Sequence, residues 1–248
     1  MAKKKMSGED RKVGITMAAR KMFAKKGFYG TSIREIAKAA TVSEALIYQH
    51  FDSKTALYEN AYFYIDPIID ALCEYFKHHE PSTETLVQII YALSYIILSE
   101  IPGHQDEQKL FERLLVYSLL ENTTFAKSVF MKYDKELTPL WVSSMATAKE
   151  NGDMYEHLID PIAKMWLSHH LAMAINFLQL SGETLFPYHG SKNDLIRGIV
   201  VFILRGIGLK DSVVRRHAQP DNLQEIGKLI FSPSSGLDFS IDKAVHME

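Results

Sequence analysis

The chain has 248 residues, 47% of them hydrophobic and 23% charged, with a formal net charge of −2 and a single cysteine, Cys73. This composition is typical of a folded globular protein, and one cysteine excludes both an internal disulfide and a cysteine-based zinc site. The longest apolar run, at residues 86–99, is interrupted by Gln88 and Ser94 and is too short to span a bilayer, and the first residues lack the apolar core of a secretion signal. We therefore expect a cytoplasmic protein without a membrane segment.

The charge is distributed unevenly along the chain. Residues 1–60 contain twelve lysines and arginines against six acidic residues, whereas the remaining residues contain sixteen against twenty-four. The resulting net charges of +6 and −8 make the N-terminal quarter the candidate surface for a polyanion, although an ordinary solvated helix face would carry the same lysines.

Four helices are predicted in the first sixty residues. The first extends from residue 7 or 8 to Lys26, because apolar residues recur there at intervals of three and four, and Gly27 ends it. Each further helix follows a polar residue that can cap its first turn: Thr31 or Ser32 for the second, with Glu35 completing a capping box, Ser43 for the third, and Asp52 or Ser53 for the fourth, which starts at Lys54.

The second and third of these helices are separated only by the short stretch Ala40-Thr41-Val42-Ser43. Two helices joined by so short a turn, with small residues such as Ala37 on the inside, form a helix-turn-helix unit. The second helix of such a unit enters the major groove of DNA, where each base pair presents a distinct pattern of donors and acceptors. The basic N-terminal quarter is therefore predicted to bind double-stranded DNA.

Beyond residue 60 the pattern remains helical, without a convincing strand pattern or a repeat. Turn-forming residues divide this part of the chain at Glu80-Pro81-Ser82, Pro102-Gly103, Asn151-Gly152-Asp153, Asp160-Pro161 and Gly190-Ser191. We expect an all-α fold with a helix-turn-helix DNA-binding domain at residues 1–60 and a helical domain at residues 61–248. Within the second domain, residues 212–248 form an extra helix or a tail.

Residues 17–60, MAARKMFAKKGFYGTSIREIAKAATVSEALIYQHFDSKTALYEN, resemble the DNA-binding domain of the TetR family of transcriptional regulators. The similarity covers the Phe-Ala-x-x-Gly-Phe end of the first helix, the Thr-Ser-x-x-x-Ile-Ala start of the second, the Val-Ser turn, the Tyr-x-x-Phe end of the third and the Ser-Lys start of the fourth. Two departures are present: Thr41 stands where the family usually has glycine, and Ala45 and Leu46 stand where it often has glycine or a small polar residue.

The resemblance implies a helical C-terminal domain that binds a small molecule and forms a homodimer. The two best late helices follow Asp160-Pro161 and Ser191, and the second of them is apolar around most of its circumference. Its glycines, Gly198, Gly206 and Gly208, suggest close helix approach. By resemblance, these two helices of each subunit form a four-helix dimer interface, although the core of a monomer would show the same pattern.

Nine residues are candidates for DNA contacts. Base contacts are expected for the start of the third helix, at Ser43, Glu44, Ala45 and Leu46. Phosphate contacts are expected for Thr31, Ser32, Tyr48, His50 and Lys54. Tyr48 and His50 have an alternative interpretation as packing residues, and Lys3, Lys4 and Lys5 form either a salt-dependent basic arm or an inert terminus.

Aromatic residues of the C-terminal domain are candidates for an apolar effector pocket: Tyr62, Tyr91, Tyr95, Phe111, Tyr117, Trp141, Trp166 and Phe177. Ordinary core packing is the alternative for each of them. The adjacent pairs His78-His79 and His169-His170 lack the i, i+3 or i+4 spacing of a helical metal site, so we expect no metal and no cofactor.

We expect no enzyme and no catalytic residues, because the chain lacks a Gly-x-Ser-x-Gly elbow, a Walker loop and a His-Glu-x-x-His motif. The expected function is a ligand-responsive regulator, a repressor that binds a palindromic operator as a homodimer and is released by a largely apolar small molecule. The helix from Lys54 towards Tyr62-Phe63-Tyr64 is the expected mechanical link. The alternative is a helical adaptor whose basic head binds an acidic protein without DNA specificity, and activation in place of repression remains open.

Overall fold

The fold was obtained as a computed structural model, which describes residues 7–63, 67–99, 105–156, 158–180 and 188–219. Within these residues the chain forms eleven α-helices and no strand beyond an isolated antiparallel bridge between Met154 and Leu209. The expected all-α fold class is therefore confirmed. Lys3, Lys4 and Lys5, the Pro102-Gly103 turn and the stretch 220–248 lie outside the described residues.

The helices follow the chain in this order: α1 (Gly8–Lys26), α2 (Ile33–Ala40), α3 (Glu44–His50), α4 (Lys54–Phe63), α5 (Pro67–Phe76), α6 (Thr83–Leu98), α7 (Gln105–Leu120), α8 (Thr124–Glu150), α9 (Pro161–Phe177), α10 (Lys192–Gly206) and α11 (Asp211–His217).

Serines cap the first four helices. The hydroxyls of Ser7, Ser32, Ser43 and Ser53 each accept a hydrogen bond from the backbone N–H three residues further along the chain. Such a bond satisfies one of the N–H groups that a helix leaves unpaired at its start, and it stabilises the helix by about 1 kcal/mol. The starts of these helices therefore follow from local sequence, and they lie where the capping residues predict.

The chain divides into two compact units. Of the described residues, the first unit contains 7–63, 67 and 105–131, and the second contains 68–99 together with the described parts of 132–219. The first unit thus holds the predicted helix-turn-helix domain and, in addition, α7 and the start of α8.

In the first unit α1 is the central helix and packs against α2, α4 and α7. Its inward side chains meet apolar side chains of the other helices to form a core in which Ile15, Phe23, Ile36, Ile47 and Leu57 are at most 1% exposed. Because burial of each such side chain stabilises the fold by about 1.5 to 3 kcal/mol, this core holds α2 and α3 in place.

In the second unit α6 is the central helix and packs against α9 and α10. Twelve of its sixteen residues are buried, which explains why its sequence shows little amphipathic pattern. Two contacts hold the turn after α10 in place. Leu209 forms the bridge with Met154, and the buried Lys164 Nζ on α9 donates a hydrogen bond of 2.8 Å to the carbonyl of Ile207.

Two features differ from the sequence-based expectations. Gly208 lies in the turn after α10 with a left-handed backbone (φ 104°), so it serves that turn and not the close approach of two helices. The break between α7 and α8 was not predicted, because Thr123, a residue with no turn preference of its own, takes the left-handed conformation there (φ 58°).

Candidate nucleic-acid interface

The turn between α2 and α3 consists of Thr41, Val42 and Ser43. Thr41 has a left-handed backbone (φ 58°), and the N–H of Val42 donates to the carbonyl of Ala37 at 2.9 Å. This bond satisfies one of the carbonyls that α2 leaves unpaired at its end, and Ser43 immediately caps α3. Three residues therefore suffice to end one helix and begin the next.

The helix α3 presents its predicted base-contacting end to solvent. Residues 43–45 are exposed, Leu46 is half-buried, and Ile47 is buried in the core of the first unit. Tyr48, one turn after Glu44, is 53% exposed, which favours a DNA contact over its alternative interpretation as a packing residue.

Four further residues are exposed on α3, on α2 and in the turn before α2, and no contact is predicted for them from the sequence. Gln49 is exposed and lies one turn after Ala45, so the i, i+4 spacing from a selected residue could have identified it. Arg34 and Lys38 are exposed one turn apart on α2, and Tyr29 is 72% exposed in the turn before α2. Arg34 and Lys38 add positive charge to the exposed side of α2, the helix that directly precedes α3 in the chain.

Thr31 and Ser32 serve the fold at the start of α2. Thr31 is 2% exposed, and its hydroxyl lies 2.8 Å from the carbonyl of Gly27, to which it donates. The hydroxyl of Ser32 both accepts from the N–H of Glu35 and donates to its carboxylate. Because a buried hydroxyl that already donates to the backbone cannot reach a phosphate, we do not retain Thr31 among the phosphate-contacting residues.

The carboxylate of Glu35 completes this capping box and is held in its charged form. A hydrogen bond from Lys26, followed by those from the backbone and side chain of Ser32, lowers the pKa of Glu35 to about 2. Glu35 therefore stays ionised at every pH relevant to DNA binding, and it keeps Lys26 engaged with α2.

Lys54, the predicted phosphate contact at the start of α4, lies over an aromatic ring. Its Nζ atom is 4.3 Å from the centre of the Phe28 ring, an arrangement typical of a cation–π interaction. Partial burial lowers the pKa of Lys54, while the negative charges of Glu121 and Glu35 act in the opposite direction. His50 is half-buried at the end of α3, with its ring 6.4 Å from that of Phe51, so its packing interpretation stays open.

Exposed apolar residues also lie on α9 and on α10. Gly198, Phe202 and Gly206 follow one another at intervals of four, so they share one face of α10. Phe202 is 67% exposed, and a Cβ atom at either glycine would have no described atom within 4 Å other than those of its chain neighbours and of the backbone of α10. On α9, Leu167 is 60% exposed. Exposed apolar side chains beside open glycines are typical of a surface that a second protein chain covers.

The effector-pocket candidates fall in both units. In the first, the Phe111 ring packs edge-on against Phe125 at 5.4 Å, and the Tyr117 hydroxyl donates to the carbonyl of Lys25. Tyr117 therefore has a defined contact within its own unit. The side chain of Tyr62 lies outside the described residues.

In the second unit the remaining candidates are buried or half-buried. The rings of Tyr91 and Tyr95 lie 5.8 Å apart, and burial raises the pKa of Tyr91 to about 12. Trp141 is 1% exposed and its indole N–H donates to the carbonyl of Pro161 at 2.8 Å. Trp166 and Phe177 are half-buried on α9. A pocket formed by these residues stays a prediction.

Neither a metal cluster nor a membrane helix is found in the part of the chain that the structure describes. No group of three or more histidine, cysteine, aspartate or glutamate side chains is placed to hold a metal ion among these residues. Within the same ranges, every helix is too short or too polar to cross a bilayer.

Residues 15–61 match the family model described as bacterial regulatory proteins, tetR family. Over 40 residues the chain is 42% identical to the biofilm operon icaADBC HTH-type negative transcriptional regulator IcaR of Staphylococcus aureus (strain Newman), a stretch that covers 16% of this chain and 22% of that protein. Over 46 residues it is 48% identical to the HTH-type transcriptional regulator HbdR of Aromatoleum sp. (strain CIB), covering 18% and 20%. The matches thus span about a fifth of these relatives.

Solved structures are similar over most of the chain. The transcriptional regulator FadR from Bacillus subtilis, in complex with stearoyl-CoA, has a TM-score of 0.57 at 15% identity and covers 78% of this chain and 98% of its own. A gamma-butyrolactone receptor (ArpA-like protein) has a TM-score of 0.57 at 15% identity, covering 90% and 99%. A bacterial regulatory protein in the tetR family from Rhodococcus RHA1 has a TM-score of 0.57 at 20% identity, covering 81% and 98%.

At these identities the solved structures establish the fold, while the family model and the two regulators identify the helix-turn-helix at residues 15–61. Residues 15–61 therefore match the helix-turn-helix domain of the tetR family of bacterial regulatory proteins, and most of the chain shares the fold of the solved structures.

Proposed function

We propose that the protein is a transcriptional regulator that reads double-stranded DNA with α3. The observation that carries this proposal is the exposed face of that helix, with residues 43–45, Tyr48 and Gln49 accessible in a domain of the tetR family. A helix that presents polar side chains in this way fits the major groove, where base edges are distinguishable. The exposed Arg34 and Lys38 on α2 supply charge for the phosphates.

The protein acts as a homodimer in this proposal. Support comes from the exposed apolar faces of α9 and α10, on which Leu167, Gly198, Phe202 and Gly206 remain open in the single chain. A two-fold symmetric dimer presents two α3 helices related by the symmetry axis, so its operator is an inverted repeat. A DNA-binding role of this kind is carried out in the cytoplasm and requires no catalytic activity.

We further propose that the regulator is a repressor that a small molecule releases from DNA. The similarity to IcaR, which is named a negative regulator, supports repression. The similarity in fold to FadR, solved with stearoyl-CoA, and to a gamma-butyrolactone receptor supports a largely apolar effector in the helical C-terminal part. An effector weakens DNA binding by its difference in affinity for the DNA-competent and DNA-incompetent conformations, and α4 is the proposed link.

Selection of bound duplexes from a random DNA pool by the purified full-length protein, at one fixed salt concentration, tests the DNA-binding proposal. We expect enrichment of an inverted repeat. A folded, dimeric protein that enriches no sequence would favour the alternative of an adaptor with a basic head. The release mechanism is tested separately: a ligand that binds tightly and leaves operator affinity unchanged at saturation would contradict it for that ligand.

A further inference from the structure

Three side chains on one face of α7 make hydrogen bonds to the backbone at the end of α1. Arg113, Tyr117 and Glu121 follow one another at intervals of four, so they lie in a single stripe along α7 and the residue after it. We call these three residues the α7 stripe. Arg113 Nε donates to the carbonyl of Ala24 at 3.0 Å, and the Tyr117 hydroxyl donates to the carbonyl of Lys25 at 3.2 Å.

The third member of the stripe binds the turn that follows α1. The carboxylate of Glu121 accepts a hydrogen bond of 2.6 Å from the N–H of Phe28. Gly27, just before it, has a left-handed backbone (φ 73°), and a Cβ atom there would lie 2.2 Å from Glu121 Oε1. The close approach of Glu121 therefore requires glycine at position 27 for both backbone conformation and space.

These bonds replace a cap that α1 lacks within its own sequence. A helix leaves its last four carbonyls without intrahelical partners, and the N–H of Gly27 satisfies only that of Phe23. The α7 stripe satisfies the next two carbonyls, those of Ala24 and Lys25, and the N–H of Phe28 within the turn. An ion pair between the buried Arg20 on α1 and the half-buried Glu107 on α7, with an N–O distance of 3.2 Å, adds a further contact between the two helices.

The turn held by the stripe contacts the DNA-binding elements. The carbonyl of Gly27 accepts the hydroxyl of Thr31, directly before the cap of α2. The ring of Phe28 lies 4.9 Å from that of Tyr58 on α4 and carries Lys54 Nζ on its face. A displacement of this turn therefore displaces the start of α2 and the start of α4 together.

We infer that Arg113, Tyr117 and Glu121 are positioning residues for DNA recognition, which hold the turn at residues 27–30 so that α2, α3 and the start of α4 meet DNA in register. The residues act through the backbone of α1 and not through a contact with DNA. The inference rests on the proposed DNA-binding function, and it extends the recognition apparatus to residues more than sixty positions beyond the end of α3 at His50.

Glu121 offers a test in which charge and hydrogen bonding act in opposite directions. Removal of a negative charge near Lys54 would by itself strengthen phosphate binding. Loss of the acceptor for the Phe28 N–H would instead weaken binding to the operator. The variant Glu121→Gln keeps an acceptor oxygen and removes the charge, whereas Glu121→Ala removes both. Tyr117→Phe removes only a hydroxyl, and the exposed Asp106→Asn on α7 and Tyr155→Phe in the second unit are matched controls.

The measurement is binding of full-length dimers to the selected operator and to a scrambled duplex of equal length. We expect Glu121→Ala to lower operator affinity about tenfold and Tyr117→Phe to lower it about threefold, with binding to the scrambled duplex within about twofold of wild type. Glu121→Gln keeps the acceptor and loses the charge, so it is expected to bind the operator at least as tightly as wild type does, and both controls are expected to bind it as wild type does. Thermal unfolding of each variant identifies any that fails to fold.

Amide hydrogen exchange provides a second measurement that does not depend on DNA. The N–H of Phe28 is expected to exchange faster in Glu121→Ala than in wild type, while Glu121→Gln keeps its protection. Two results would overturn the inference and leave the proposed function intact. One is exchange at Phe28 that is the same in Glu121→Ala as in wild type, and the other is operator affinity equal to that of wild type in folded Glu121→Ala and Tyr117→Phe. A wild-type protein that selects no operator would overturn the proposed function and the inference with it.

Discussion

Thr41 takes a left-handed backbone (φ 58°) at a position where glycine would be free of strain. A β-branched residue in this conformation destabilises the folded state by about 1 to 2 kcal/mol. Glycine at the same position is not strained, although it loses more conformational entropy on folding. The short turn between α2 and α3 is thus formed in spite of its first residue.

We expect Thr41→Gly to raise the free energy of unfolding by about 0.5 to 1 kcal/mol, measured by urea denaturation. The control is Thr55→Gly at an exposed position within α4, which is expected to leave stability unchanged or lower it. A stability of Thr41→Gly equal to or below wild type would show that the strain at position 41 is relieved by other contacts.

Gln49 carries the only side-chain amide on the exposed face of α3. A glutamine in the major groove pairs with adenine through both its oxygen and its nitrogen, and such a pair discriminates between bases by about 1 to 3 kcal/mol. We expect Gln49→Ala to lose preference at one base pair of each half-site and to keep the rest of the operator pattern. The selection experiment repeated with Gln49→Ala, and with the exposed Gln179→Ala as control, measures this. If Gln49→Ala selects the same operator sequence as wild type, Gln49 does not contact a base.

Lys54 is charged, half-buried and placed over Phe28 at the start of α4. Because a phosphate contact carries no sequence information, we expect Lys54→Ala to weaken binding about equally on operator and scrambled DNA. The slope of log affinity against log salt is expected to fall by roughly one. Lys109→Ala, at an exposed position on α7, is the control, and an unchanged slope in Lys54→Ala would exclude a phosphate contact.

At the scale of helices, α9 holds a buried histidine against α8. His169 is 6% exposed, with its ring 5.4 Å from that of Tyr133 and 5.7 Å from that of Trp166. Burial, with a smaller contribution from His170, lowers the pKa of His169 from 6.5 to about 3. The unfolded chain therefore binds a proton between these values that the folded chain does not bind, and stability present above pH 6.5 is lost as the pH falls towards 3.

We expect the free energy of unfolding to decrease more steeply between pH 7 and pH 5 in wild type than in His169→Gln, by about 1 to 2 kcal/mol. Urea denaturation at several pH values measures the difference in slope, which is independent of any constant loss caused by the substitution. His78→Gln, on an exposed side chain, should follow the wild-type slope. Equal slopes for wild type and His169→Gln would mean that His169 binds its proton between pH 7 and pH 5 in the folded protein as it does in the unfolded chain.

The helices could be predicted to the extent that their determinants are local. The starts of α1 to α4, α9 and α10 lie at capping residues that are recognisable in the sequence, including Asp160 and Ser191. Proline usually ends or kinks a helix, yet α8 contains Pro139 and continues for eleven residues after it. Helical spacing was sufficient to predict which side chains of α3 are exposed. The burial of Thr31 could not be predicted in this way, because it accompanies a hydrogen bond to the carbonyl of Gly27.

The α7 stripe could not be predicted, for a different reason. Its hydrogen bonds join residues about ninety positions apart in the chain, and they bind backbone atoms, which no sequence pattern marks. The aromatic chemistry of Tyr117 predicts only a pocket residue, and the fold shows that its hydroxyl donates to the carbonyl of Lys25.

At the scale of the whole molecule, the open apolar face of α10 governs assembly in the proposed function. We expect Phe202→Glu to place a charge in the proposed dimer interface and to yield monomers at micromolar concentration, where wild type is dimeric. Operator affinity is expected to fall by at least about tenfold, because one α3 reads only a half-site. Sedimentation velocity measures the assembly, and Met131→Glu, at a residue 66% exposed in the first unit, is the control. A dimeric Phe202→Glu would exclude this face.

The described parts of the two units are completed at different times during synthesis. Every described residue of the first unit has been made by residue 131, so the first unit can fold while the ribosome is still adding the second. In contrast, α6 is made early but packs against α9 and α10, which end at Phe177 and Gly206. Its largely apolar surface therefore stays without its partners while about a hundred further residues are added. In the nascent chain, α6 is the segment on which chaperone binding and aggregation are expected to concentrate.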